Sequence, residues 1–459
     1  MAEQNDRSPA DEARVPGEAA LAGAPGAGPW LRAHRWCSLA LCFGMTLPTT
    51  PMDLSLIPLG AVCVVGFQHT LRSWAGLWRE PVFLWAAGFA AWILLGLLWT
   101  GELGQGLDEA GKLRWLLPIV LLRASVGRHR AALVTAVLAG FAVGHVVQLV
   151  DLWGLRLGGP AWAARSSSPV RITGWWDAAV SGTTLTAATG LALAGALFAR
   201  GRWRVAGGAS LGAALVGLLL TGSRGGWIGS AVLLGVVGAW RLATMPRRWR
   251  GRAFAGAGVM TVALAGAVGL AWPVVEPRVS NAADEITRAV RDGDYATATG
   301  ARILMKELAV DVWLDRPLLG AGTGAYDAAA SEAGRERGLG EDVIVNHVHA
   351  HAHDTGMHLL ASNGLVGLGL GAGLLGAGLW TCWGERRRRA GFGHGPGLAL
   401  IGLVFVTPFD VLHVSAHAAS ITGVVLGFAQ RGVGSVPGPG GEKNARAGCT
   451  RSERGDDTF

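Results

Sequence analysis

Residues 355–380, TGMHLLASNGLVGLGLGAGLLGAGLW, form a run of 26 residues that contains no Asp, Glu, Lys or Arg. About 20 predominantly apolar residues are enough for a helix to cross the hydrocarbon core of a bilayer. Gly and Ala are dense between positions 365 and 379, and small residues let membrane helices approach closely. The stretch therefore predicts a transmembrane helix in a compact bundle.

The composition of the whole chain has the same character. Of its 459 residues, 51% are apolar and only 16% are charged, and the mean hydropathy is +0.36. Soluble domains carry about 25% charged residues. These values exclude a typical soluble enzyme, a disordered chain and a coiled coil, and the absence of a three-residue glycine period excludes collagen. We therefore predict an all-α membrane protein.

Apolar segments recur along the chain, and we interpret them as about twelve transmembrane helices. Several are shorter than a bilayer requires, so their boundaries are approximate. The predicted spans are 36–48, 53–68, 81–100, 113–123, 131–152, 179–199, 203–221, 225–241, 253–272, 355–380, 396–409 and 412–430.

The basic residues set the predicted orientation. With both ends in the cytoplasm, 26 of the 40 Lys and Arg residues fall in the termini and in every second loop, among them the arginine run 386–389. This is the positive-inside pattern of membrane proteins. We therefore predict an N-in/C-in topology, and we attribute the pI near 9.9 to topology rather than to nucleic-acid binding.

One long loop and two polar ends complete the predicted organisation. Residues 1–35 and 431–459 are predicted to be disordered cytoplasmic extensions. Spans 1–9 occupy residues 36–272, and spans 10–12 occupy residues 353–430. Between them, residues 273–352 carry 8 basic and 13 acidic residues, and we expect them to form one folded periplasmic loop.

The first candidate site is the turn Thr221-Gly-Ser-Arg-Gly-Gly-Trp227, which joins two predicted spans. Arg224 has no acidic residue near it in the sequence. One interpretation is an arginine that snorkels to the membrane interface. The other is an anion receptor, because the planar guanidinium fork matches a phosphate group.

A second candidate lies on a predicted helix from Ala301 to Asp315. Arg302 and Lys306 share one face at i and i+4, while Leu304, Leu308 and Val312 form an apolar stripe. The alternative is a solvated amphipathic helix without a binding role. The following turn, with Gly320 and Gly322, lacks the spacing and context of a nucleotide-binding loop. We expect this turn to bring backbone N–H groups close to a ligand.

Four histidines alternate in His347-Val-His-Ala-His-Ala-His353, immediately before Asp354 and the span 355–380. In an extended segment all four would face one side. Three interpretations remain open: a metal site, a solvated polar run, and acid–base catalysis by an imidazole. A helix N-terminus lowers the pKa of a nearby imidazole, which favours a neutral His353 that accepts a proton.

In this order, the motifs resemble the O-antigen ligase and polymerase superfamily of bacterial envelope glycosyltransferases. The common features are many spans, a Ser-Arg-Gly-Gly turn, a late outward loop with an Arg-led helix and a Pro-Leu-x-Gly-x-Gly turn, and then a histidine before a Gly-rich span. His353, Gly364 and Gly367 keep the spacing typical of the ligases. Asp354 departs from the family, which has an amide or a hydroxyl there; an aspartate either orients His353 or weakens donor binding by its charge.

The resemblance implies an inverting glycosyltransferase of the bacterial inner membrane with its site facing the periplasm. It implies transfer of a polysaccharide from undecaprenyl diphosphate to a sugar hydroxyl of lipid A–core, without a metal or another cofactor. Arg224 and Arg302 would stabilise the diphosphate, and His353 would be the general base. The substrate-binding candidates are His351, Asp354, Lys306, Gly320 and Gly322.

Other functions remain open at this point. Within the superfamily, a polymerase extends a lipid-linked glycan, and a protein O-oligosaccharyltransferase modifies Ser or Thr. A rival from another class is a multi-pass transporter that uses the histidine run to bind metal. Transporters place ionisable groups near the membrane midplane. Charged residues are scarce within the predicted spans here, and the polar candidates gather on one face of the membrane, with His145 and Gln148 as exceptions.

We predict that a phosphatase fused after Gly338 is active and that a reporter requiring the cytoplasm is silent at the same position, because the loop 273–352 faces outward. Activity of the cytoplasmic reporter with a silent phosphatase would contradict both the topology and the functional interpretation.

Overall fold

A computed structural model describes residues 27–157, 171–176, 178–384 and 391–431. Within these ranges all regular structure is helical and no strand is present, which confirms the all-α prediction. The arginine run 386–389 and most of the two predicted disordered ends lie outside the described residues.

Nineteen α-helices follow one another in the described ranges, with short 3₁₀ turns at Leu77–Arg79, Gly96–Leu98, Lys112–Leu116 and Gly391–His394. We number them α1 (Ala27–Gly44), α2 (Thr49–Leu54), α3 (Leu56–Val65), α4 (Phe67–Trp74), α5 (Pro81–Leu95), α6 (Leu103–Gly111), α7 (Leu117–Leu121), α8 (Arg123–Leu157), α9 (Ala178–Phe198), α10 (Arg202–Thr221), α11 (Arg224–Thr244), α12 (Arg247–Leu270), α13 (Trp272–Asp292), α14 (Ala298–Asp315), α15 (Tyr326–Glu336), α16 (Glu341–His347), α17 (Thr355–Gly384), α18 (Gly395–Val406) and α19 (Ala416–Ala429).

Six segments in the described residues are long and apolar enough to cross a membrane. The chain is therefore a multi-pass membrane protein. The predicted number of twelve spans is not confirmed. A seventh is reached if a bent helix pair is one span, and two shorter apolar helices follow at Gly391–Val406 and Ala416–Ala429. Each of the six coincides with a predicted span: Pro81–Leu98, His129–Gly154, Val180–Phe198, Arg202–Thr221, Arg224–Thr244 and Thr355–Gly384.

The predicted span 53–68 is not one straight helix. Thr49–Val65 and Phe67–Arg79 are bent by 97° at Gly66. The indole of Trp30 occupies the space beside Gly66, so no side chain fits at the bend: an ideal Cβ there would lie 2.1 Å from the ring. Trp30 Nε1 also donates a hydrogen bond to the Val62 carbonyl at 3.1 Å.

The predicted span 113–123 is likewise divided, into the 3₁₀ turn Lys112–Leu116 and the short helix α7. Pro118 has no N–H to continue the helical bonds of the preceding turn, so the helix restarts around it. Neither piece is long enough to count as a span. Trp115 and Ile119 are buried, and Gly423 of α19 packs directly on the Trp115 carbonyl.

Helix α9 lies at the centre of the bundle. In its apolar segment Val180–Phe198, 83% is buried inside the protein. Its glycines let neighbouring backbones approach closely. An ideal Cβ at Gly190 would lie 2.4 Å from Ala399 N of α18, and one at Gly207 of α10 would lie 2.5 Å from the Gly195 carbonyl carbon. These contacts agree with the expected role of small residues in bundle packing.

The loop 273–352 is folded into α13, α14, α15 and α16. Helix α14 begins at Ala298, three residues earlier than predicted, because Thr297 Oγ1 caps it by accepting a hydrogen bond from Gly300 N at 2.9 Å. It ends at Asp315, before Pro317, as predicted. The predicted apolar stripe Leu304, Leu308 and Val312 is buried in a small core shared with α15 and α16.

Helix α17 is broken at Gly364, where φ is +67° and ψ is −169°. The segment that follows α14 lies in this break. Ala321 N donates to the Ala361 carbonyl at 2.8 Å, Gly322 N donates to the Ser362 carbonyl at 2.9 Å, and Leu365 N donates to the Pro317 carbonyl at 2.9 Å. The loop is therefore joined to the membrane bundle through backbone hydrogen bonds.

We predict that Gly364→Ala lowers the thermal unfolding midpoint of the detergent-purified protein. The dihedral angles at Gly364 are almost restricted to glycine and cost a side-chain-bearing residue about 1–3 kcal/mol. An added Cβ would also lie 2.1 Å from the Leu318 carbonyl oxygen.

Gly369→Ala is the matched control, because Gly369 lies in the same helix with open space around its Cα. The control should melt at or slightly above the wild-type temperature. Equal midpoints for the two variants would show that the break at Gly364 carries no strain for a larger residue.

Candidate active site

The turn between α10 and α11 places Arg224. Gly222 ends α10 with a φ of +63°, and Ser223 Oγ caps α11 by accepting a hydrogen bond from Gly226 N at 3.4 Å. Gly226 packs on Gly182 of α9, where an ideal Cβ would lie 2.7 Å from the Gly182 Cα. Arg224 is consequently the first residue of α11, fixed by close backbone packing.

The Arg224 guanidinium bonds to the two helices of the loop that lie nearest. Its Nε donates to the Arg278 carbonyl at 3.0 Å, and its Nη1 donates to Glu285 Oε2 at 3.1 Å and to Thr299 Oγ1 at 2.6 Å. Its Nη2 is buried without a hydrogen-bond partner. A snorkelling arginine would extend its charged head into water at the membrane interface, whereas the head of Arg224 is held by protein groups of the loop.

Arg224 has an acidic partner, Glu285, that its sequence neighbours do not provide. The sequence offers no acidic residue near the turn, but the fold brings in this carboxylate from α13, 61 positions later. Burial raises the pKa of Glu285, and hydrogen bonds from Thr299 and Arg224 lower it by more, so the net shift is downward. Glu285 is therefore ionised at neutral pH and holds one edge of the guanidinium.

Four arginines line one cleft beside this turn. The space between protein atoms is about 490 Å³, including the open mouth of the cleft. Arg224 and Arg302 were predicted for a common site, and the structure brings them together. The lining residues with polar or aromatic side chains are Arg171, Thr183, Ser223, Arg224, Arg278, Arg302, Phe409 and Asp410.

Arg278 is a site residue that the sequence analysis missed. Its side chain is 7% exposed. Burial, followed by repulsion from Arg171 and Arg224, lowers its pKa to about 10, so it remains protonated at neutral pH. An anion in the cleft would offset this repulsion. The sequence signal was an arginine four residues after Val274, on the buried face of the amphipathic helix α13.

Lys306 ties the cleft to the start of α17. Its Nζ lies 3.1 Å from Asp354 Oδ2 and donates to the Pro408 carbonyl at 2.6 Å. Asp354 Oδ1 in turn caps α17 by accepting a hydrogen bond from Met357 N at 3.0 Å. The aspartate that departs from the family pattern is thus an N-cap whose charge is balanced by Lys306.

His353 precedes this cap in a strained conformation, with a φ of +48°. Positive φ values are uncommon for residues other than glycine and concentrate at functional sites. Burial, followed by the charges of His351 and Arg302, lowers the pKa of His353 to about 3. The imidazole is neutral at pH 7, and its Nδ1 has no hydrogen-bond partner in the protein.

The histidine run is not one extended face. His347 is the last residue of α16, whereas the others lie in the irregular segment before α17. The ring centroids of His351 and His353 are 4.3 Å apart, and those of His349 and His353 are 6.2 Å apart. Burial, followed by the charges of His358 and His349, lowers the pKa of His351 to about 4. In the part of the chain that the structure describes, the side chains close enough together to hold a metal ion are those of Glu109, His358 and His413, and none of them belongs to this run.

Gly320 and Gly322 shape the turn that enters the break in α17. Both have positive φ values, and an ideal Cβ on either would lie within 2.6 Å of backbone atoms. Their N–H groups donate to the carbonyls of Arg316 and Ser362. These amides are already used inside the protein, so the glycines support the site through packing.

One short segment connects the arginine cleft with His353. The Thr407 carbonyl accepts a hydrogen bond from Thr355 N at 2.8 Å, next to the cap at Asp354. Phe409 and Asp410, two and three residues later, line the cleft. Arg302 lines the cleft, and its charge acts on His353, whereas Lys306, one turn later on α14, bonds to Asp354 and to the Pro408 carbonyl. The cation cluster and the neutral imidazole are therefore connected through α14 and through residues 407–410.

One comparison with known protein families finds a match in this chain. Residues 209–372 match the family described as O-antigen ligase. This segment contains the Ser-Arg-Gly-Gly turn, the folded loop, His353 and the break at Gly364. No curated protein matches the chain.

Proposed function

We propose that this chain, whose residues 209–372 carry the domain of the O-antigen ligase and polymerase superfamily, is an O-antigen ligase. It transfers a polysaccharide from undecaprenyl diphosphate to a sugar hydroxyl of lipid A–core. The observation that supports this most directly is the cluster of Arg224, Arg278 and Arg302 in one cleft that adjoins the neutral His353.

The donor diphosphate binds in the arginine cleft. Guanidinium groups pair with phosphate oxygens in a bidentate geometry, and Arg224 retains an unpaired buried Nη2 for such a contact. The diphosphate gains negative charge when its bond to the anomeric carbon breaks. Fixed cations stabilise this charge more in the transition state than in the bound donor, which lowers the barrier.

His353 accepts the proton of the acceptor hydroxyl. The hydroxyl oxygen forms a bond to the anomeric carbon as the bond from that carbon to the diphosphate oxygen breaks, and the anomeric centre inverts. The electron pair leaves with the diphosphate, and the proton moves to the imidazole. His351 packs against His353 and restricts its orientation. No cofactor takes part in this mechanism.

The same proposal includes the topology. Both ends lie in the cytoplasm, residues 36–272 and 353–430 form the membrane bundle, and residues 273–352 form the periplasmic loop domain. The site therefore faces the periplasm from the inner membrane. The basic loops support this orientation, and so does the chemistry, because a lipid-linked donor requires no cytoplasmic nucleotide.

We predict that Arg224→Lys and Arg302→Lys fail to restore long-chain lipopolysaccharide in a host from which the gene is deleted, although the proteins still insert. A lysine supplies a point charge but not the planar fork that binds two phosphate oxygens. The measurement is the lipopolysaccharide profile after complementation.

Arg288→Lys is the matched control, because Arg288 is an exposed arginine of α13 that pairs with Asp294. It should restore the profile fully. Near-normal transfer with lysine at positions 224 and 302 would reject the fork mechanism. A deletion host that still attaches single units to lipid A–core would identify the protein as a polymerase instead.

We predict that His353→Ala reduces transfer by purified protein about 10²–10⁴-fold, the usual effect of removing a general base, whereas His347→Ala has a mild effect. The acidic limb of kcat/KM should lie well below pH 6.5, because the free enzyme holds the pKa of His353 at about 3. The base is active above its pKa, so activity falls only as the pH drops through it.

The acidic limb of kcat should lie at higher pH than that of kcat/KM. The bound diphosphate offsets the positive charges that lower the pKa of His353. Equal loss of activity in all four single histidine variants of the run would instead indicate a metal centre there. A kcat/KM limb at or above pH 6.5 would contradict the base assignment.

A further inference from the structure

Three potential metal ligands converge at a place that the proposed reaction does not use. Glu109 lies on α6, His358 in the first turn of α17, and His413 in the turn before α19. Their exposed fractions are 8%, 0% and 7%. One ligand atom from each lies within 4.8 Å of the others, and Glu109 Oε1 is 3.7 Å from His358 Nε2.

The polar atoms of this cluster are not satisfied by the protein. Both ring nitrogens of His358, both ring nitrogens of His413, and Glu109 Oε1 are buried without a hydrogen-bond partner. Buried polar groups are nearly always bonded, so a concentration of unpaired atoms at one point indicates a ligand.

The surroundings of the cluster do not satisfy these atoms. The ring of Phe89 packs edge-on to His413 at a centroid distance of 5.8 Å, and Tyr326 packs against His358 at 5.2 Å. The Tyr326 hydroxyl is directed elsewhere, because it donates to the Met305 carbonyl at 2.7 Å. The imidazoles thus pack against aromatic rings, and one ring nitrogen of each lies within 4.8 Å of a carboxylate oxygen of Glu109.

Two imidazoles and one carboxylate are the ligand set of many zinc sites. Bonds of about 2.0–2.2 Å in a tetrahedral arrangement place the ligand atoms about 3.3–3.6 Å apart. The separation of Glu109 and His358 is already close to this value. His413 lies in a turn outside the regular helices, and one of its nitrogens is within 4.8 Å of the other two ligand atoms. The imidazoles disfavour magnesium and calcium, which prefer oxygen ligands.

We propose that Glu109, His358 and His413 bind one divalent cation of the zinc type, with a water as the fourth ligand. The cation joins α6, the first turn of α17 and the turn before α19. The last two are already connected, because Thr355 Oγ1 donates to the Asp410 carbonyl at 2.7 Å and accepts from Leu412 N at 3.0 Å. The cation would hold together the elements beside the segment that connects the arginine cleft with His353.

The test is zinc binding by the full chain in detergent. Metal-stripped protein is incubated with excess Zn²⁺, desalted and analysed for metal by mass spectrometry. We expect about one zinc per chain for the wild type and for His347→Asn, the control in the histidine run. Glu109→Gln and His413→Asn should each weaken zinc binding. Loss of an outer-shell partner reduces metal affinity roughly 10–100-fold, and loss of a direct ligand should reduce it further.

Two further measurements keep the test informative if these variants fold poorly. Zn²⁺ should raise the thermal midpoint of the wild type, and Co²⁺ bound to the wild type should show the d–d absorption of a tetrahedral site. Absence of both effects would overturn the proposal and leave buried water as the occupant. Zinc that is lost in His347→Asn but retained in Glu109→Gln would also overturn it, by locating the metal in the histidine run. Neither outcome bears on the arginine and His353 variants, so the proposed function is tested separately.

Discussion

The hydrogen bonds and ion pair of Arg224 are the interaction on which the site depends. Arg224 begins α11 of the membrane bundle, but its partners Arg278, Glu285 and Thr299 belong to α13 and α14 of the loop. This one side chain therefore docks the loop on the bundle and closes one wall of the cleft. Glu285 serves the same purpose electrostatically, since it offsets part of the repulsion among arginines that would otherwise separate the two parts.

Like charges held close together define the chemistry of the cleft. Folding places several guanidinium groups around a space with few acidic partners, and the pKa of Arg278 falls because of burial and its cationic neighbours. Burial, and after it the charges of His351 and Arg302, lower the pKa of His353 and keep it neutral. In the proposed mechanism, an anionic donor would relieve repulsion in the cleft and make this imidazole more basic.

The sequence predicted the parts of this fold that depend on local pattern. Six long spans and the apolar stripe of α14 follow from hydrophobic length and period. The breaks at Gly66 and within 112–121 were missed because they depend on Trp30 and on Pro118 in a buried setting. Arg224, Arg302 and His353 were found through their motifs. Arg278 and the cluster of Glu109, His358 and His413 were not predicted, because only the tertiary fold brings these distant segments together.

The insertion of residues 317–322 into the break at Gly364 has a consequence for motion. A loop fastened only at its two ends can open as a lid about those hinges. This loop is also fastened in its middle, by backbone hydrogen bonds to a membrane helix, so it cannot swing while α17 stays still. Movement of the loop therefore requires a matching movement of α17 around Gly364, so the loop and this membrane helix form one mechanical unit.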